Sequence, residues 1–216
     1  MTSSFFVAFA TFFATVGVAD VAFIFAGLTR NYTPRQRVVA ATRGVLVAAG
    51  ILLFFSFVGN LILEGFGITL PALRVAGGIL LLLIAIDMVF ARHSGGTGTT
   101  SEEEAEATGR EDISVFPLAM PLLAGAGSIS AVILFTTGAP SDIDFWLVIA
   151  ALLATLFLAW LALLAAIPIQ RLLGLTGMSV VSRVVGILLT ALAIQFIFDG
   201  VVASGVLGSR AGTGAI

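Results

Sequence analysis

The stretch GILLLLIAIDMVF (78–90) returns later in the chain as GILLTALAIQFIF (186–198), at a constant offset of 108 in the numbering. Gly78-Ile79-Leu80-Leu81 recurs as Gly186-Ile187-Leu188-Leu189, Ala85-Ile86 as Ala193-Ile194, and Phe90 as Phe198. Asp87 falls opposite Gln195. The same offset sets Gly17 on Gly125 and Thr29 on Thr137. Both copies lie in apolar runs long enough to cross a bilayer, which takes roughly 20 residues of helix. Such runs occur at about 5–28, 39–63, 69–90, 113–136, 145–168 and 181–206. The offset therefore relates the third run to the sixth and the first to the fourth. Each half holds three spans, an odd number, so the halves must enter the membrane from opposite sides. The expectation is an all-α polytopic membrane protein with six transmembrane helices in two inverted three-helix repeats. The repeats would cover 1–93 and 113–216.

Composition agrees with that class. Hydrophobic residues make up 59% of the chain and charged residues 10%, against about 25% charged in soluble domains. The first run is expected to stay as a span rather than be cleaved as a signal peptide, because no basic residue precedes it and it is too long for an h-region. Between the halves, SGGTGTTSEEEAEATGRED (94–112) is acidic and has little apolar surface to bury, which predicts a solvated linker.

Several function classes drop out. There is no cysteine, so no thiol nucleophile, disulfide or thiolate metal site. The single histidine, His93, sits beside the linker, which removes most zinc and histidine chemistry. No Gly-x-Ser-x-Gly elbow, paired-acid motif or P-loop is present. The expectation is no enzyme, no cofactor and no metal site. The basic residues are all arginine and scattered, so nucleic-acid binding is not expected.

Arginine sets the expected orientation. Arg30, Arg35 and Arg37 follow the first run, Arg92 and Arg110 lie in the loop after the third, and Arg171 follows the fifth. The loops after the second and fourth runs hold no Lys or Arg. The positive-inside rule places loops one, three and five in the cytoplasm and both termini outside. Arg210 near the C-terminus is the exception.

The fourth run carries FPLAMPLLAGAGSIS (116–130). Pro117 and Pro121 remove backbone donors, and Gly125 and Gly127 loosen the backbone after them. This predicts a discontinuous helix. Freed backbone is tolerated at membrane depth where it lines a cavity or is buried in protein. A break also creates a half-helix N-terminus whose N–H groups can hold an anion. A kinked structural helix with small residues for close packing fits the same pattern. The first run has Gly17 and Asp20 at the matching depth and is expected to be broken too. A charged Asp at a helix centre costs about 2.5–3.5 kcal/mol on insertion scales. Asp20 should face a cavity or a partner, with Arg74 and Arg183 as candidate counter-ions, or be protonated. Ser128 and Ser130 follow the second break, and Gln195 lies deep enough to hydrogen-bond across helices.

FPLAMPLLAGAGSIS (116–130) and RVVGILLTALAIQFIFDG (183–200) resemble the two signature stretches of the MarC family of six-span membrane proteins. The resemblance covers nearly the whole chain. It implies an inner-membrane protein, with some relatives assigned as transporters of small neutral amino acids. Members usually show Asn-Pro-x-Gly in the first span, where this chain has Gly17-Val18-Ala19-Asp20, and Gly-Pro-Gly in the fourth, where it has Gly125-Ala126-Gly127. Val18 and Ala126, which replace the prolines, are themselves related by the repeat offset.

The leading expectation is a secondary transporter of a small polar solute, with a neutral amino acid the best candidate, working by alternating access. Its substrate site would use Gly17, Asp20, Gly125, Gly127, Ser128 and Gln195. Its partners would be the solute and the lipid bilayer. A homo-oligomer is compatible with the sequence, and no coupling ion is assigned. The alternative is a non-transporting membrane scaffold or accessory subunit.

Overall fold

The computed structural model describes residues 2–29, 31–90 and 113–205. The linker, His93, Arg30, Arg92, Arg110 and Arg210 lie outside the described residues. All regular structure among the described residues is helical: α1 Thr2–Val16, α2 Val18–Leu28, α3 Pro34–Phe66, α4 Leu70–Phe90, α5 Ser114–Leu123, α6 Ala126–Thr137, α7 Asp142–Leu164 and α8 Ala166–Ala203. Five stretches are long and apolar enough to span a bilayer: Phe5–Leu28, Pro34–Phe66, Leu70–Phe90, Asp142–Leu164 and Ser179–Ala203. A sixth is the pair α5 and α6, bent by 57° at its break. The chain is a polytopic integral membrane protein.

Both expected breaks are present, and each falls midway along its span. Gly17 caps the start of α2 in the left-handed region (φ 61, ψ 45). Gly125 caps the start of α6 with extended backbone (φ −74, ψ 172). The segments before them differ. α1 is a regular helix, whereas α5 is a wide, irregular coil in which Phe116 and Met120 are extended and the bonds to Pro117 and Pro121 are cis.

Helix ends depart from the apolar runs because polar caps carry the helix past them. α3 starts at Pro34, ahead of the expected 39. Thr33 and Gln36 form a capping box there, with Gln36 N–H donating to Thr33 Oγ1 and Thr33 N–H to Gln36 Oε1. α7 starts at Asp142, where Asp144 N–H donates to Ser141 Oγ and Ser141 O–H to Asp144 Oδ2. The repeat offset sets Thr33 on Ser141 and Gln36 on Asp144. α7 ends at Leu164, and α8 begins at Ala166, ahead of the expected sixth span.

α4 and α8 cross closely on small residues. A Cβ at Gly78 would stand 2.7 Å from Ile197 Cγ1 and 2.8 Å from Ala193 O. One at Gly186 would stand 2.9 Å from Met88 Cβ and 3.1 Å from Ala85 O. One at Gly200 would meet Val75 and Pro71. The contacting positions fall along α4 as they rise along α8, so the two helices are antiparallel. Gly78 meets Ala193 as Gly186 meets Ala85, and the repeat offset relates all four. Other packings are exchanged in the same way. α1 lies on α7 and α5 on α3; α2 lies on α7 and α6 on α3; α2 lies on α8 and α6 on α4.

Buried side chains form two clusters. The larger joins α1, α2, α3, α5, α6, α7 and the start of α8 at Ala166 around Phe12, Phe25, Leu52, Leu118, Leu123 and Leu152. The smaller consists of α4 and α8 (Leu81, Ile84, Ala85, Met88, Leu189, Ala193) with Ala14 from α1. Phe135 on α6 links them, edge-on to Phe12 and to Phe196. Lipid chains are as apolar as these side chains, so close packing rather than apolar burial holds such helices together.

Candidate functional site

The two half-helices α2 and α6 place most of the expected residues. Helix breaks expose N–H groups that no preceding turn can satisfy. At α6 the first helical bond runs from Ile129 N–H to Gly125 O, and Gly125 offers no side-chain cap. A Cβ at Gly125 would stand 2.6 Å from Pro121 O, and one at Gly127 would stand 2.3 Å from Ile84 Cδ1. Glycine is required at Gly125, where the opposing atom is backbone, whereas at Gly127 the opposing atom is the tip of the Ile84 side chain, which can shift. Ser128 is 1% exposed, and its hydroxyl has no hydrogen-bond partner. Ser130 turns toward α4, with its Oγ 3.5 Å from where a Cβ of Gly77 would lie.

At α2 the arrangement is different. Asp20 stands in the first turn, half-buried. One of its carboxylate oxygens, Oδ2, lies 4.0 Å from where a Gly17 Cβ would be, so the carboxylate sits beside its own helix start. The other, Oδ1, accepts a hydrogen bond from the Ser182 hydroxyl of α8. Ser182 is absent from the residues expected on sequence grounds. Its signal was spacing: 182, 186, 189 and 193 lie on one helical face, the face that α8 buries.

Each half-helix has an arginine at its far end. Arg37 Nε donates to the carbonyl of Thr29, the C-cap of α2, at 3.0 Å. Arg74 Nη2 lies 3.6 Å from where a Cβ would stand on Gly138, the C-cap of α6. Cations there complement the negative ends of the two helix dipoles. Arg74, a candidate counter-ion for Asp20, thus reaches the end of α6 opposite its N-terminal break.

Gln195 belongs to neither half-helix. It lies on the exposed face of α8, where its Nε2 donates to Asp199 Oδ1 at 2.8 Å. A cavity of about 300 Å³ lies at the far end of α6, between Val7, Phe135, Gly138, Pro140, Asp144 and Val148, and contains none of the expected site residues. No group of three acidic or histidine side chains is placed to hold a metal among the described residues.

The sequence pattern of MarC family integral membrane proteins matches residues 2–204. The chain belongs to the MarC family. It is 38% identical over 197 residues to a UPF0056 membrane protein of Methanocaldococcus jannaschii, covering 91% of this chain and 95% of that one. It is 38% identical over 173 residues to a UPF0056 membrane protein of Aquifex aeolicus, covering 80% of each. It is 31% identical over 187 residues to the UPF0056 inner membrane protein MarC of Citrobacter koseri, covering 82% of this chain and 85% of that one. No solved structure matches the chain. The match takes in both half-helices and the α4–α8 pair, so the broken spans lie inside the region that places this chain in the MarC family.

Proposed function

We propose that this MarC family chain is a secondary transporter of a small polar solute, with a neutral amino acid the best candidate. The observation that carries the proposal is the pair of half-helix starts, Gly17-Val18 and Gly125-Ala126, each midway along its span and related by the repeat offset. The exchanged contacts of α4 and α8 support two inverted repeats, an architecture whose solute sites lie at the repeat interface near the bilayer midplane. Broken backbone at that depth supplies N–H groups for a carboxylate, and Asp20 supplies a negative group for an ammonium. Both half-helix starts touch the α4–α8 pair, through Asp20 to Ser182 and through Gly127 to Ile84. Movement of that pair against the larger cluster would alter both at once and give alternating access. The orientation proposed with it has loops one, three and five in the cytoplasm.

Purified protein in proteoliposomes should carry labelled alanine, serine or glycine down an imposed gradient. Absence of flux across a broad amino acid panel, with and without proton and sodium gradients, would sink the proposal. The scaffold alternative draws on one feature, the polar pair Gln195–Asp199 exposed on α8. Its expected signature is stable co-purification with one partner and no flux.

A further inference from the structure

The offset that relates the half-helices sets Asp20 on Ser128. Each is the third residue after the capping glycine of its half-helix. The two ends differ in the segments that precede them and in what these side chains do. At α2 the carboxylate of Asp20 lies beside Gly17, at the positive end of its own helix dipole, and is held by Ser182. At α6 the same position holds a neutral hydroxyl, 1% exposed and without a partner. A buried hydroxyl left without a hydrogen bond costs free energy, so native structures rarely keep one. A helical Cβ tilts toward the N-terminus, so the Ser128 side chain leaves α6 on the side of its first turn. The backbone N–H groups of that turn have no capping side chain.

We infer that the first turn of α6, with the Ser128 hydroxyl, is a subsite for one carboxylate, and that Asp20 fills the equivalent place at α2 as a tethered substitute. The inference rests on the proposed site and gives it a polarity. The carboxylate end of a solute belongs at α6, and α2 takes no anion because it carries its own. Gly125 and Gly127 keep that turn free of side chains other than Ala126 and Ser128, and a Cβ at Gly125 would strike Pro121 O.

The test is carboxylate binding to the full chain, purified in detergent micelles, with acetate as the probe. Thermal unfolding is measured at constant ionic strength with sodium acetate or sodium chloride. Acetate should raise Tm saturably, and chloride should not. Ser128→Asp makes α6 resemble α2 and should weaken the apparent acetate affinity at least tenfold, as a like charge at the subsite implies. Ser128→Ala leaves the backbone donors and should weaken it severalfold, which keeps the test usable if the aspartate variant fails to fold. Asp20→Ser makes α2 resemble α6, and equilibrium dialysis with labelled acetate should then show two equivalents bound instead of one. No saturable effect of acetate on the natural chain overturns the inference. So does an equal effect of chloride, wild-type affinity in both Ser128 variants, or one equivalent bound to a folded Asp20→Ser protein. Acetate binding with these mutant effects but no solute flux would overturn the transport proposal alone. Flux without acetate binding would overturn the subsite alone.

Discussion

Gly17 and Gly125 open the same kind of segment for different physical reasons. Gly17 has φ 61, a conformation that costs an ordinary L-residue about 1–2 kcal/mol. Gly125 has ordinary dihedral angles, but its α-hydrogen faces Pro121 O so closely that a Cβ would stand at 2.6 Å. The two positions should therefore answer differently to asparagine, which adopts the left-handed region more readily than other side-chain-bearing residues. Gly17→Asn should lower the thermal unfolding midpoint less than Gly17→Val. Gly125→Asn should be no milder than Gly125→Ala, because both bring the same Cβ. Circular dichroism melts of the four proteins in one detergent would check this. Equal losses for Asn and Val at Gly17 would show that steric crowding rather than backbone conformation governs that position. The glycines themselves were legible in the sequence, since apolar spans interrupted by Gly and Pro at matched places predict breaks. The direction in which a residue faces could not be read. Ser182 and Gln195 are separated by the rotation of one helix about its axis. Packing against α4 and α2 turns Ser182 inward to Asp20 and leaves Gln195 outside.

At the scale of elements, α4 and α8 show how much of the packing rests on missing side chains. Gly78 and Gly186 let the helices approach until backbone carbonyls limit the distance. Adding a methyl group at Gly78 must push against Ala193 O as well as Ile197, and backbone cannot rotate away as a side chain can. Gly78→Ala should destabilise the protein by about 1–3 kcal/mol, the usual cost of overpacking. Gly50→Ala is the matched control, because nothing lies within 4 Å of the added atom. Urea or thermal unfolding in micelles should separate the two, and an equal effect at both positions would contradict the close crossing. The existence of these helices could be read from run length alone, but their ends could not. The polar caps at Thr33 and Ser141 add a first turn to α3 and α7 that hydropathy cannot register. The irregular course of α5 was legible only as a break. Pro117 and Pro121 exclude a regular helix there without specifying the extended backbone at Phe116 and Met120.

For the whole molecule, the arrangement turns on whether the halves face opposite ways, and the chain offers a clean way to measure it. It contains no cysteine, so any thiol introduced is the only one present. Asn31 and Ala139 come just after the ends of α2 and α6 and are related by the repeat offset. Inverted repeats put them on opposite sides of the membrane, and the arginines of the first loop predict that the Asn31 side is cytoplasmic. Asn31→Cys in intact cells should resist a membrane-impermeant maleimide and react only after permeabilisation. Ala139→Cys should react from outside in intact cells. Gly67→Cys, between α3 and α4, should behave like Ala139→Cys, since a single span separates it from the first loop. Labelling of Asn31→Cys and Ala139→Cys from the same side would mean that the three spans between them, α3, α4 and the broken α5–α6, do not alternate across the membrane. The antiparallel contact of α4 with α8 would then have to arise without an inverted repeat, and the equivalence of the two half-helix ends would lose its basis.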